Sequence, residues 1–148
     1  MSEAARRRKR AVQRLGGVTI NKISIAILKS GIPVPPLTKR TAIVVEHTGR
    51  RSGEVYSTPM GYVRAADDRL HVVAEHGKSA DWVQNALDAP IALWIGGRRF
   101  TATARMRPDL DPNRVWEGMS GRVVVAFAKL LAHEPQVVEL VVSEPVTL

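Results

Sequence analysis

Two runs rich in β-branched and aromatic residues, Thr41–His47 (TAIVVEH) and Glu54–Ala65 (EVYSTPMGYVRA), flank a six-residue connection, Thr48–Gly53 (TGRRSG). A connection this short cannot carry a crossover, so the two runs pair antiparallel. The same pattern recurs at Ile91–Ile95 (IALWI), the turn Gly96–Arg99 (GGRR) and Phe100–Pro108 (FTATARMRP). Two further runs, Arg69–His76 (RLHVVAEH) and Gln136–Pro145 (QVVELVVSEP), complete a count of about six strands. Tight turns between consecutive strands exclude the doubly wound parallel class. They predict an α+β chain, mainly β, in which a small closed or half-closed antiparallel barrel carries helices outside. Pro59 has no N–H to give a ladder, which puts its strand at an edge or at a bend. The third strand, Arg69–His76, is expected beside the first hairpin.

The N-terminal third reads differently. Ala4–Leu15 is a basic helix, Gly16-Gly17 a break, and Thr19 the cap of a second helix with Ile20, Ile23, Ile27 and Leu28 on one face. Gly31 and Pro33–Pro36 (PVPP) end it in an extended linker. Ser79–Pro90 (SADWVQNALDAP) is a short helix with Ser79 as its cap. Asp111-Pro112 opens a helical region to about Ala132. The expected organisation is residues 1–36 as basic arm and helices, then residues 37–148 as the barrel, one domain overall.

The chain carries 22 Lys and Arg against 14 Asp and Glu, a net charge of +8, and no cysteine. A positive field of that size attracts anions. The missing thiols exclude disulfides, thiolate metal sites and a cysteine nucleophile. No His/Asp/Glu spacing suits a metal, and no phosphate-binding glycine loop or nucleophile elbow is present. No apolar run is long enough to span a bilayer, and no cleavable leader is evident, so the expectation is a cytoplasmic protein. The basic run Arg6–Arg10 leaves room for peripheral contact with an anionic membrane. Few aromatics interleave with the basic residues, so no specific nucleic acid is expected.

Two clusters stand out. Arg50 and Arg51, between Gly49 and Gly53, present rigid forks suited to phosphate or carboxylate oxygens, with Ser52 and Thr58 as hydroxyl donors. Downstream, Ala74, Glu75, His76, Gly77, Lys78 and Ser79 bring a strand end to a helix N-terminus, where free N–H groups and the lysine make a second anion cradle. Trp82 is an aromatic wall against which a flat ring could stack. Two anion cradles without a nucleophile or metal point to a bound cofactor that brings its own chemistry.

The segments TGRRSGEVYSTPMGYV and LHVVAEHGKSADWVQNALDAPIALWIGGRRFTATARMRPD resemble the deazaflavin-dependent nitroreductase family of actinobacteria. That family's pattern runs T-G-R-[RK]-[ST]-G-x-x-R-x-x-P-L, then a strand, then W-x-x-N-x-x-x-x-P. The resemblance implies a split β-barrel related to FMN-binding reductases. It implies coenzyme F420, a deazaflavin with an anionic phosphodiester and polyglutamate tail. It implies hydride transfer from the reduced coenzyme to an electron-poor enone, quinone or nitro compound. On this reading Arg50, Arg51, Ser52, Thr58, Lys78 and Ser79 meet the tail. Pro59, Met60, Trp82, Asn85 and the Ala74–Gly77 strand end meet the rest of the coenzyme. His76 or Tyr62 supplies a proton. Tyr56 stands where the family has an arginine, which substitutes a phenol for a phosphate contact. A fatty-acid-, lipid- or FMN-binding relative without this redox activity is the alternative, as monomer or homodimer. An uninterrupted apolar cavity would favour it.

Overall fold

A computed structural model describes residues 2–35, 37–120 and 122–146. Its first element is one helix, α1 (Glu3–Ser30), capped by Ser2, whose hydroxyl accepts from the Ala5 N–H, and closed by Gly31 at φ 73°. The expected break at Gly16-Gly17 does not occur, and Thr19 lies within the helix rather than at a cap. Glycine raises the entropic cost of a helix by about 1 kcal/mol per residue, yet it keeps both backbone hydrogen-bonding groups, so a flanked pair weakens the ladder without interrupting it.

Seven strands follow: β1 (Ala42–Thr48), β2 (Val55–Gly61), β3 (Val63–Ala66), β4 (Arg69–Ala74), β5 (Ile91–Ile95), β6 (Arg98–Met106) and β7 (Gln136–Val142). The run read as one strand across Gly61–Val63 is two, because Tyr62 leaves the ladder and turns its side chain into the core. The three other helices are α2 (Asp81–Asp88), α3 (Pro112–Gly118) and α4 (Arg122–Leu131). α3 starts as its sequence dictates: Asp111 accepts from the Asn113 N–H and Pro112 occupies the first turn.

All strands belong to one antiparallel sheet of order β2-β1-β5-β6-β7-β4-β3. Its two edge strands, β2 and β3, are joined through Tyr62 alone. A sheet whose opposite edges are one residue apart in the chain must curl until they meet, which produces a half-barrel with a split. β4 pairs with β3, the far end of the run Glu54–Ala65, and so lies beside the first hairpin as expected; its other partner is β7, and it faces β2 across the split. β2 is the edge strand that Pro59 requires.

The inner face packs Ile43, Val45, Leu70, Leu93, Phe100 and Leu140 into the main core. On the outer face Val73 and Val137 pack against Val115 and Trp116 of α3. Also on the outer side, α1 is fastened to the sheet by an ion cluster. Lys29 Nζ donates to Glu46 Oε1 at 2.6 Å and Trp94 Nε1 donates to the same oxygen at 2.7 Å. Beyond Lys29, the helix end rests on the β5–β6 turn: a Cβ on Gly31 would lie 2.7 Å from the Gly96 carbonyl oxygen. Only glycine permits this approach, and α1 is thereby held along β1, β2 and β5.

Candidate cofactor and substrate site

The β1–β2 turn closes with Gly53 N–H donating to Gly49 O at 2.9 Å and Gly49 N–H to Glu54 O at 2.7 Å. Gly53 takes φ 71°, a conformation that a side chain would strain. The turn sends its two arginines in different directions. Arg50 folds back onto α2: its N–H and its Nη1 donate to Asn85 Oδ1 at 3.2 and 2.9 Å, and Nη2 reaches Asp81 Oδ1 at 3.4 Å. Arg51 is exposed and has no hydrogen-bond or ion-pair partner among the described residues.

Asn85 is buried, and its orientation fixes a further residue. With Oδ1 accepting from Arg50, Nδ2 faces His47 Nδ1 at 3.1 Å. The ring therefore accepts at Nδ1 and donates from Nε2 to Thr58 Oγ1 at 3.0 Å, a tautomer assigned from this network. Burial lowers the His47 pKa, against a smaller upward pull from Asp81, which agrees with a neutral ring. Tyr56 stacks on His47 with ring centroids 5.9 Å apart, and its hydroxyl donates to Glu54 Oε2 at 3.2 Å. Arg50, Arg51, Ser52, Tyr56, Thr58 and Trp82 line an open basin of about 610 Å³ above this network.

Further along β2 lies a second, mostly apolar cavity of about 250 Å³. It occupies the split between β2 and β4. Pro59, Met60 and Gly61 form one wall, Val73 and Glu75 another, and Leu28 of α1 with Trp116 and Met119 a third. Burial raises the Glu75 pKa, opposed by the charge of His76.

The segment after β4 does not build the second cradle that the sequence suggests. Gly77–Ser79 is a 3₁₀ turn, and α2 opens at Asp81 with Ala80 as its cap, so Ser79 does not cap it. Ser79 Oγ instead donates to His76 O at 3.0 Å. The Lys78 N–H is taken by Gln136 Oε1 at 2.9 Å, and the Lys78 carbonyl by Gln84 Nε2 at 2.6 Å. Gly77 at φ 66° is pressed against Glu134, and Ala74 is in the main core. None of Ala74, His76, Gly77, Lys78 or Ser79 lines either cavity. Tyr62 is 5% exposed, with its hydroxyl donating to the Lys39 carbonyl, and burial raises its pKa. That hydroxyl secures the loop before β1.

The structure thus gathers Arg50, Arg51, Ser52, Tyr56, Thr58, Trp82 and Asn85 at one basin and Pro59, Met60 and Glu75 at the neighbouring cavity. Sequence reasoning missed His47. It ends an apolar run and looks like strand filler, although two residues past it the arginine turn begins. Leu28, Trp116 and Met119 come from the N-terminal helix and the Asp111–Ala132 region, the segments expected to line the acceptor side, but they were not singled out because they lie far from the arginine turn in sequence.

A curled antiparallel half-barrel with a polar basin and an apolar cavity along one edge strand is the split-barrel architecture of flavin and deazaflavin oxidoreductases. The family model described as F420H2-dependent quinone reductase matches residues 6–144, and the chain belongs to that family. Membership makes it an oxidoreductase that uses coenzyme F420 and acts on a small-molecule acceptor. No curated protein matches the chain at a significant level. Among solved structures it is similar to a protein of unknown function from Agrobacterium tumefaciens (16% identity, TM-score 0.52, 82% of this chain and 54% of the other). It is also similar to the haem storage protein HutZ from Vibrio cholerae (14%, 0.50, 71% and 83%). An F420-H2-dependent reductase aligns at 20% identity over 69% of this chain and 94% of its own, with TM-score 0.49.

Proposed function

We propose that this chain reduces a quinone or similar electron-poor carbonyl compound, with the coenzyme lying along β2. The observation that carries this reading is the unpartnered Arg51 fork on a basin lined by Tyr56–Thr58 of β2, the strand whose next residues, Pro59–Gly61, line an apolar cavity. From Tyr56 to Met60 the strand advances about 13 Å at roughly 3.3 Å per residue. That span suits a ligand with an anionic tail and a flat apolar ring. The donor set fits the coenzyme: Arg51 and Ser52 face the basin for phosphate or carboxylate oxygens, and Pro59, Met60 and Trp82 give apolar cover. Tyr56 adds a phenol edge rather than a charge.

When bound, the reduced coenzyme supplies a hydride from its deazaflavin ring. The protein's part is positioning and exclusion of water. Asn85 holds Arg50 and the turn in place; His47, neutral, locks Thr58; α1 and α3 cover the cavity from solvent. The cavity's carboxyl and basin's charge distinguish it from an uninterrupted apolar pocket, which disfavours a fatty-acid binder. No helix among the described residues is long and apolar enough to cross a membrane. Exposed Arg6 and Arg8 suit peripheral contact with an anionic surface.

The test is a titration with oxidised coenzyme F420 followed by tryptophan fluorescence, then steady-state assay with the reduced coenzyme and menadione. Micromolar binding that weakens at least tenfold in Arg51→Ala is expected. Absence of binding up to about 100 μM, where the free energy is only about −5.5 kcal/mol, overturns the reading.

A further inference from the structure

Two-electron reduction of a quinone or enone leaves an anionic oxygen that needs a proton. The hydride carries two electrons and one proton, so the second proton must come from elsewhere. His76 and Tyr62 line neither cavity, as described above. Glu75 lines the cavity between β2 and β4. It is the only titratable side chain among the residues lining that cavity. Its carboxyl has no hydrogen-bond or ion-pair partner among the described residues, in contrast to Glu46 and Glu139. The other side chains that line the cavity carry no charge, among them Ser24 and Leu28 from α1, Met60 from β2, Trp116 from α3 and Ala128 from α4, while the backbone N–H of His133, in the segment before β7, donates to the Glu75 carbonyl at 2.8 Å. Its chain neighbour His76 pulls the carboxyl the other way, but less than burial raises it.

We propose that Glu75 is the catalytic acid of the reductive half-reaction toward the acceptor, a step that rests on the reductase reading given above. As hydride reaches the acceptor, the Glu75 O–H bond breaks and its proton passes to the oxygen that becomes anionic. The resulting carboxylate regains a proton from water at the cavity mouth, since the residue is only partly buried. Electrons balance with the hydride alone, and the acceptor gains one hydride and one proton. An apolar wall suits this role because it keeps a carboxyl protonated at a higher pH than water does. Burial acts on Glu75 in that direction.

The experiment compares wild type, Glu75→Gln and Glu75→Asp. The Glu75 carboxyl is titrated by carbon-13 NMR without coenzyme, with the Gln variant assigning the signal. Coenzyme affinity is measured by fluorescence, and kcat for menadione and cyclohexenone is followed from pH 5 to 9. The proposal expects a carboxyl that titrates above the ordinary glutamate range and a wild-type kcat that falls as pH rises through that value. Glu75→Gln should lose about 100-fold in kcat, within the usual span for a general acid. Its pH dependence should be flat and its coenzyme affinity within threefold of wild type, with partial recovery in Glu75→Asp. A Glu75→Gln rate within threefold of wild type, or a loss of coenzyme affinity as large as the loss of kcat, overturns it. Failure of the wild-type chain to bind coenzyme refutes the reductase reading and this step together; normal binding with an unchanged Gln rate refutes this step alone.

Discussion

Asn85 links the turn to α2, and its truncation tests whether the basin is preorganised. Asn85→Ala removes the acceptor of two Arg50 donors and the donor to His47 Nδ1. The guanidinium bond is charge-assisted and contributes about 1.5–3 kcal/mol, the other two about 0.5–1.5 kcal/mol each. Arg50, with 30% of its side chain exposed, recovers part of its loss from water. His47, at 5% exposure, does not. A net loss of about 3 kcal/mol follows. With a urea m-value of about 2 kcal/mol/M, the unfolding midpoint falls by roughly 1.5 M. Coenzyme affinity should fall about tenfold, because the Arg50–Arg51 turn is no longer held. Urea denaturation and the fluorescence titration measure both. A midpoint shift below about 0.5 M at unchanged m, a loss under ~1 kcal/mol, together with unaltered affinity, refutes the claim that this asparagine organises the basin.

Three further outcomes follow from the ion clusters and the helix end. Glu139 is 1% exposed and takes His71 at 3.0 Å, Arg107 at 2.8 Å and Arg105. Burial raises its pKa, but these bonds and charges outweigh burial and hold it below the ordinary value. Its stabilisation is therefore complete above the unfolded pKa and is lost as pH falls through the lower folded one. Glu139→Gln should cost about 3 kcal/mol at pH 7, and in urea titrations the gap should narrow as pH falls below the unfolded glutamate value and close only below the lower folded one. Lys29→Met should release α1 from Glu46 at a cost of about 1–2 kcal/mol, read as faster amide exchange over residues 24–30; unchanged exchange would remove the cluster from any role in holding the helix. Gly31→Ala should cost about 2–3 kcal/mol, from left-handed backbone strain and the clash with Gly96, measured as a lowered Tm.

Local chemistry made the hairpins legible. The Gly49–Gly53 turn, the Gly96-Gly97 turn and Pro59 each announce their geometry within a few residues, and Asp111-Pro112 announces α3. What the sequence does not encode locally is which strand meets which. β4 lies beside the end of the first hairpin's run, as its short connection dictates, but its other neighbour is β7, and the pairing of Arg69 with Val141 spans most of the barrel. The candidate site divided the same way. Residues within the arginine turn and on β2 came together as expected, since one hairpin carries them all. Of the Ala74–Ser79 cluster only Glu75 joined them, and the Lys78 N–H that seemed free for an anion is taken by Gln136. His47 was hidden because a histidine at the end of an apolar strand has no local mark of its partner. Gly16-Gly17 misled because two glycines carry an entropic penalty but leave the hydrogen-bond ladder whole.

The sheet order has a consequence for how the chain acquires its shape. β7 lies between β6 and β4, yet it is the last strand in sequence. Before residues 136–142 leave the ribosome, the β2-β1-β5-β6 half and the β4-β3 hairpin have no shared ladder. Each then exposes an apolar edge that awaits the same strand. Between the completion of β6 at Met106 and the start of β7 at Gln136 the two sheets share no ladder, and the half-barrel closes when β7 inserts between them. Loop closure over such distances is slow, so this is the interval in which unpaired strand edges are exposed to aggregation.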